Sequence, residues 1–284
     1  LSRTGPYTRG MFGESPARAR FAEALRRDPV PLDEAALAIA AEDDAALEPE
    51  VYLTRLEDLA ARVRERAPSG AASMLRAIRD VLHVEEGFRG NEADYYDPRN
   101  SFLNHVLDRR LGIPITLSLV WMEVARRAGL RLQGVGFPGH FLVKYQGKGG
   151  TEVFVDAYHG GEMLSAEECA ARHHARSGRD LDRRYLEGVS PRQLLARLLH
   201  NLRRIYAERK EPVGSWWVAD RLLLLAPGQL EALRERGLAA ARLGGVDAAA
   251  RDLEEYLSKV PRTADTTEVR ATLARLRRSR PLSN

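Results

Sequence analysis

Apolar side chains recur every three or four residues along most of this chain, and the stretches that break the rhythm divide it into parts. Ala17–Arg27 and Leu32–Glu42 predict two short helices, the second with Asp33 and Glu34 in its first turn, where carboxylates complement the helix dipole. From Val51 to Arg66, Leu53, Leu56, Leu59, Ala60 and Val63 mark an apolar face, until Pro68, Ser69 and Gly70 interrupt it. Ala72–His83 turns Met74, Leu75, Ile78, Val81 and Leu82 inward. Helix returns at Phe102–Arg110, stops at Gly112 and Pro114, and restarts near Thr116 to run to Ala128. Leu117, Val120, Trp121, Val124, Ala125 and Ala128 make that last helix mostly buried.

Two stretches depart from the helical period. Glu86–Asn100 gathers Gly87, Gly90, Asn91, Asp94, Asp97, Pro98 and Asn100 around Phe88, Tyr95 and Tyr96. So many turn-formers with aromatics predict a structured loop that anchors a packed or binding surface. Beyond Gly129 the period falls to two, giving three short strands at Arg131–Val135, Phe141–Tyr145 and Glu152–Val155, separated by Pro138-Gly139 and Gly147–Gly150. A turn follows at Ala157–Gly161, Ser165 caps a helix through Arg172, and the polar run Ser177–Arg184 predicts a boundary.

From Pro191 onward the pattern is helical and repetitive. Pro227 and Pro261 lie 34 residues apart, the tetratricopeptide period. Aligned on those prolines, one unit places Leu233, Gly237, Ala249, Leu253 and Tyr256 at the repeat's core positions. The unit before it places Leu199, Leu202, Tyr206, Ala219 and Leu222 there, but Arg203 replaces the glycine and Ser215 the alanine. Asp265–Arg278 is expected to cap the stack with a polar face. The expected organisation is therefore a flexible lead-in over 1–15, an α+β domain over 16–186, and an all-α repeat tail over 190–284.

Composition narrows the function classes. With 44% hydrophobic and 30% charged residues, the 284-residue chain falls in the globular class. Leu1–Phe12 carries no apolar run and Ile113–Ala125 is interrupted by polar residues, so neither a secretory leader nor a membrane span is expected. A single cysteine, Cys169, excludes an intramolecular disulfide and a thiolate metal cage, which makes the cytoplasm the expected location. The net charge of +4 is uneven: Ser190–Asn284 has 18 Lys/Arg against 11 Asp/Glu, +7, leaving −3 for the rest. Those basic residues alternate with acidic ones and lack interleaved aromatics, so a solvated helix face is expected and nucleic acid is not.

Chemistry concentrates mid-chain. A nucleophile at the start of the helix near Thr116 would gain from the dipole there, His140 at the opening of a strand would take its proton, and Asp156 at the end of the next would orient the imidazole. His159, with Asp156 and Glu162 three residues to either side, could join His140 in a metal site, but the spacing fits no established metal-ligand motif and falls across a Gly-Gly turn, so neither a metal nor a cofactor is expected. The doublet His173-His174 reads as surface.

Four runs then carry a resemblance: Tyr95-Tyr96-Asp97-Pro98-Arg99-Asn100-Ser101, Arg110-Leu111-Gly112-Ile113-Pro114-Ile115, Gly136-Phe137-Pro138-Gly139-His140-Phe141 and Val155-Asp156. Across Leu32–Pro261 the chain resembles the transglutaminase-like proteins of the bacterial SirB type, which also end in tetratricopeptide-like helices. The resemblance implies a papain-like α+β core in which a cysteine at the start of the central helix works with the histidine and aspartate. Here that helix start reads Ile115-Thr116-Leu117-Ser118, with no thiol, and Cys169 falls after Asp156.

An alcohol must lose its proton as it attacks, so Thr116 is expected to act as a helix N-cap. The favoured expectation is a pseudoenzyme: a peptide- or protein-binding scaffold or regulatory adaptor, with its cleft between Tyr95-Tyr96 and His140 and with Asn100, Ser118 and Trp121 near it. The alternative is an amide hydrolase or acyl transferase using Thr116 or Ser118 with His140 and Asp156, and Asn100 or Asn104 as oxyanion donor.

Overall fold

The computed structural model describes residues 12–67, 69–260 and 266–279, so residues 1–11 of the expected lead-in, Pro68 and Pro261 lie outside the described residues. The chain divides into two compact units, Ala24–Leu198 and a helical unit of 12–23 with 199–279.

In the first unit, α1 (Pro16–Arg26) contributes its last residues, followed by α2 (Leu32–Ala40), α3 (Pro49–Arg66) and α4 (Ala71–Arg79), which continues into a wider π turn at Asp80–Glu85. After β1 (Arg89–Gly90) and a 3-10 turn at Pro98–Ser101 come α5 (Leu103–Arg109), β2 (Leu111–Gly112) and α6 (Pro114–Arg127). Leu117, Leu119, Val120, Trp121, Val124 and Ala125 of α6 are all buried, as the apolar run requires. The sheet strands are β3 (Gln133–Val135), β4 (Leu142–Gln146), β5 (Glu152–Asp156), β6 (Glu162–Leu164) and β7 (Gly188–Val189), with α7 (Ala166–Ser177) between the last two. They form a five-stranded antiparallel sheet in the order β6-β5-β4-β3-β7. The register pairs Val143 with Val155 and Asp156 with Glu162.

Three strands were expected from alternation. β6 and β7 escape that signal because each is only two or three residues long and is fixed by its neighbour in the sheet. The same holds for the parallel ladder of β1 and β2, Arg89 on Leu111 and Gly90 on Gly112, which ties the aromatic loop to the start of α6. Ser165 does cap α7: its hydroxyl accepts the Glu168 N–H, and its own N–H donates to the Glu168 carboxylate.

The first unit also extends further along the chain than the polar run at 177–184 suggests. β7 pairs with β3, and the opening turns of α8 (Pro191–Glu208) pack back on the sheet: Leu194 lies against Gly134, and the Arg197 guanidinium lies over the Phe141 ring.

The helical unit holds the first half of α1, the rest of α8, then α9 (Pro212–Leu225), α10 (Leu230–Arg242), α11 (Val246–Lys259) and α12 (Thr267–Ser279). Residues 16–23, expected with the core, belong here because Arg18 bonds Asp220 at 2.9 Å and Phe12 meets Trp216 edge-on at 5.4 Å. Leu233, Ala249, Leu253 and Tyr256 are buried. A side chain at Gly237 would run into Leu253, the close approach that the repeat's glycine permits. In the preceding pair Gly214 supplies that approach, against the Tyr206 ring, while Arg203 pairs with Glu231 and Glu235. No helix among the described residues is long and apolar enough to cross a membrane.

Candidate functional site

His140 sits just ahead of β4 in a loop held by backbone: its N–H donates to the Phe137 carbonyl at 3.0 Å, and Arg197 donates to the carbonyls of both residues. β5 ends beside it at Asp156. The His140 Nε2 donates to Asp156 Oδ1 at 2.9 Å, since a carboxylate oxygen only accepts. Asp156 Oδ1 also accepts the backbone N–H groups of Tyr158 and His159, and Oδ2 faces His159 Nδ1 at 2.9 Å. Burial alone would raise the Asp156 pKa, yet the hydrogen bonds and charges of His140 and His159 outweigh it and hold the carboxyl at about 2. The expected His140–Asp156 pair is thus assembled, and His159, whose sequence spacing argued against a shared metal site, meets the same carboxylate.

Glu162, grouped with His159 in sequence, is not part of the cluster, because its carboxylate pairs with Arg172 at 2.5 Å. The ligating atoms of His140, Asp156 and His159 lie within 4.8 Å of one another.

Aromatic rings surround this cluster. Tyr158 lies 6.0 Å from the His140 ring and 6.2 Å from Tyr95, which in turn meets Tyr96 edge-on at 5.3 Å. Tyr95 and Tyr96 are 40% and 44% exposed, as a binding surface requires. Gly90 admits the Tyr158 ring, which a side chain there would displace. On the other side, Phe137, Leu142, Leu164, Cys169, Arg172 and Arg176 enclose with His140, Asp156 and His159 a cavity of about 200 Å³. Cys169 therefore reaches the site from α7, on a route that chain order alone does not suggest. Burial pushes its thiol up to about 11, so it is protonated at neutral pH.

The start of α6 is different. The helix begins at Pro114, so Thr116 is its third residue and Ile113 the N-cap position, which corrects the expected N-cap role. Thr116 Oγ1 accepts the Ile113 N–H at 3.1 Å and donates to the Asn100 carbonyl at 2.7 Å. Every hydrogen bond it makes among the described residues goes to backbone. Ser118 is buried, and its hydroxyl finds no partner among the described residues; the same is true of Ser101 Oγ and Asn104 Oδ1.

Two more expected site residues are structural. Asn100 is buried and directs its amide N–H groups at the carbonyls of Asp94 and Tyr95, which shapes the aromatic loop and leaves it no donor for an oxyanion. Trp121 is buried too, and its indole N–H donates to His83 Nε2 at 2.7 Å while His83 Nδ1 bonds the Phe88 carbonyl. Burial lowers the His83 pKa. Trp121 thus belongs to the core beneath the site and offers no binding face. His174 is at the surface beside Asp180, whereas His173 lies edge-on to Phe137 at 6.0 Å.

Comparison with known proteins agrees with this architecture. Residues 50–200 match the transglutaminase-like superfamily and residues 202–274 the tetratricopeptide repeat, a class of repeat that generally mediates protein–protein contacts. A UPF0162 protein of Xylella fastidiosa is 39% identical over 258 residues, spanning 88% of this chain and 92% of the relative. One from Pseudomonas aeruginosa is 33% identical over 208 residues, 72% of this chain and 76% of the relative. Mouse F-box only protein 21 is 40% identical over 105 residues, 34% of this chain and 17% of that protein. With the core, the helical tail and the full-length relatives in agreement, the chain belongs to the UPF0162 family of transglutaminase-like proteins with tetratricopeptide repeats.

Proposed function

We propose that this protein is a non-catalytic member of the transglutaminase-like superfamily that binds a peptide or protein segment in the cleft between Tyr95-Tyr96 and His140, with the helical repeat engaging a protein partner. The observation that carries this reading is the Thr116 hydroxyl. At the helix start where a thiol nucleophile would be needed, an alcohol bonds the Asn100 carbonyl and the Ile113 backbone, and an oxygen so engaged cannot hand its proton to an imidazole. The exposed tyrosine pair beside a fixed His–Asp dyad suits recognition, because tyrosine offers a rigid apolar face and a polar tip at low entropic cost.

Two measurements test it. Incubated with a glutamine-containing peptide and an amine, the full chain releases no ammonia beyond that seen with His140→Ala; release that depends on His140 overturns the reading. On a peptide array, the full chain retains a set of sequences that Tyr96→Ala loses and Thr116→Ser keeps. An array on which Tyr96→Ala changes nothing removes the cleft from the proposal.

The alternative, Thr116 or Ser118 as nucleophile, draws less support. Ser118 is fully enclosed in α6, and Asn100 has no amide proton left for an oxyanion.

A further inference from the structure

We propose that His140, Asp156 and His159 form a binding site for one divalent transition-metal ion of the zinc class. Each residue offers one ligating atom, and these atoms already lie within 4.8 Å of one another. Ligands bound to zinc at about 2.0–2.2 Å sit about 3.3 Å apart in a tetrahedron, so small side-chain rotations close the set around an ion. Asp156 lies at the centre, facing His140 Nε2 with one oxygen and His159 Nδ1 with the other, both at 2.9 Å. Each of those imidazole nitrogens holds a proton in a hydrogen bond along the direction in which a metal would take its lone pair. The two rings are tilted by only 33° with centroids 5.6 Å apart, so they converge on the same carboxylate.

The support around the three ligands is that of a built site. Asp156 ends a paired strand and is oriented by the N–H groups of Tyr158 and His159, an outer set of bonds of the kind that fixes metal-ligating carboxylates. The tight turn between Asp156 and Gly161 places His159, and it closes through a bond from the Gly161 N–H to the Asp156 carbonyl at 2.9 Å. Three protein ligands leave coordination positions open, and the neighbouring cavity of about 200 Å³ gives a water or an anionic group access to them. Two imidazoles and a single carboxylate favour zinc, nickel, copper or iron(II) over magnesium and calcium, which prefer all-oxygen shells.

The test uses the full chain, stripped with a chelator and titrated calorimetrically with zinc chloride and separately with magnesium chloride. Expected are one zinc ion per chain and no magnesium binding. His159→Ala, at a side chain 53% exposed and so unlike a core residue, is expected to stay folded with a single cooperative melt and to weaken zinc binding by about 100-fold. His174→Ala, a surface control, is expected to leave it unchanged. Zinc binding that is absent, or that is as tight in His159→Ala as in the parent chain, overturns the proposal. The outcome is separable from the non-catalytic reading: His140-dependent hydrolysis by zinc-loaded protein alone would overturn that reading and leave the metal site standing, while failure to bind zinc leaves it untouched.

Discussion

Two of the carboxylate clusters that the α+β unit buries are neutralised in different ways. At the carboxyl end of α6, Asp33 and Glu123 share Arg126 and Arg127; Arg127 reaches both acids and Glu123 lies 2.7–2.8 Å from the two guanidiniums. Burial works against the Asp33 charge, but Arg127 and Arg126 outweigh it and lower its pKa, whereas burial and the Asp33 charge raise that of Glu123. At the end of β5, Asp156 is balanced by two imidazoles and two backbone N–H groups, beside a cavity. Guanidiniums are permanently charged, so the first cluster can only hold helices together. Imidazoles exchange protons and ligate metals, so the second can do chemistry or recognition at the same depth of burial.

The contrast predicts a ranked set of effects. Arg127→Ala leaves two buried acids to the more exposed Arg126 alone and is expected to cost about 3 kcal/mol in urea denaturation, the largest loss considered. Asp156→Asn, which keeps an acceptor for the backbone N–H groups, is expected to cost about 1–2 kcal/mol. If the order reverses, the β5 cluster is the structural one and the comparison fails.

Gly161→Ala ranks with Asp156→Asn. Its φ of +72° and the Trp121 and His83 atoms 2.7–2.8 Å from the position of an added methyl carbon would strain the turn that presents His159, at roughly 2 kcal/mol. Thr116→Val should lose about 1–2 kcal/mol by leaving the Asn100 carbonyl and the Ile113 N–H without their partner, and Thr116→Ser should stay within about 1 kcal/mol. A Thr116→Val protein of unchanged stability would mean that those backbone bonds do not define the start of α6.

Two smaller effects sharpen the contrast. Because the folded Cys169 thiol is pushed up to about 11, alkylation by iodoacetamide should be slow in folded protein at pH 8, accelerate as the pH rises toward 11, and become fast in urea at any of these values. Fast labelling of the folded chain near pH 7 that vanishes in His140→Ala would point to a thiolate–imidazole pair. Tyr96→Ala should change stability by no more than about 0.5 kcal/mol, since the ring is largely exposed, which keeps any loss of peptide binding interpretable.

Much of this was legible without coordinates, wherever the signal was local. Helical periodicity located α2, α3 and α6 to within a few residues, because a helix satisfies its backbone within itself and needs only a consistent apolar face. Alternation found β3 to β5 for a similar reason. The 34-residue period found the repeats, and the burial of Leu253 against Gly237 follows from it. His140 and Asp156 could be paired because adjacent antiparallel strands bring their ends together.

Tertiary structure decided the rest. The amino acids alone determined the α+β core, the helical tail, the His–Asp dyad and the absence of a cysteine at the central helix. Only packing decided that Thr116 bonds backbone 16 residues away in sequence, that Trp121 turns inward to His83, that Cys169 returns to the same cavity, and that His159 joins the dyad. The physical reason is common to all four: a side chain's partner is set by which distant element the sheet and helices bring beside it, and no periodicity along the chain encodes that neighbour.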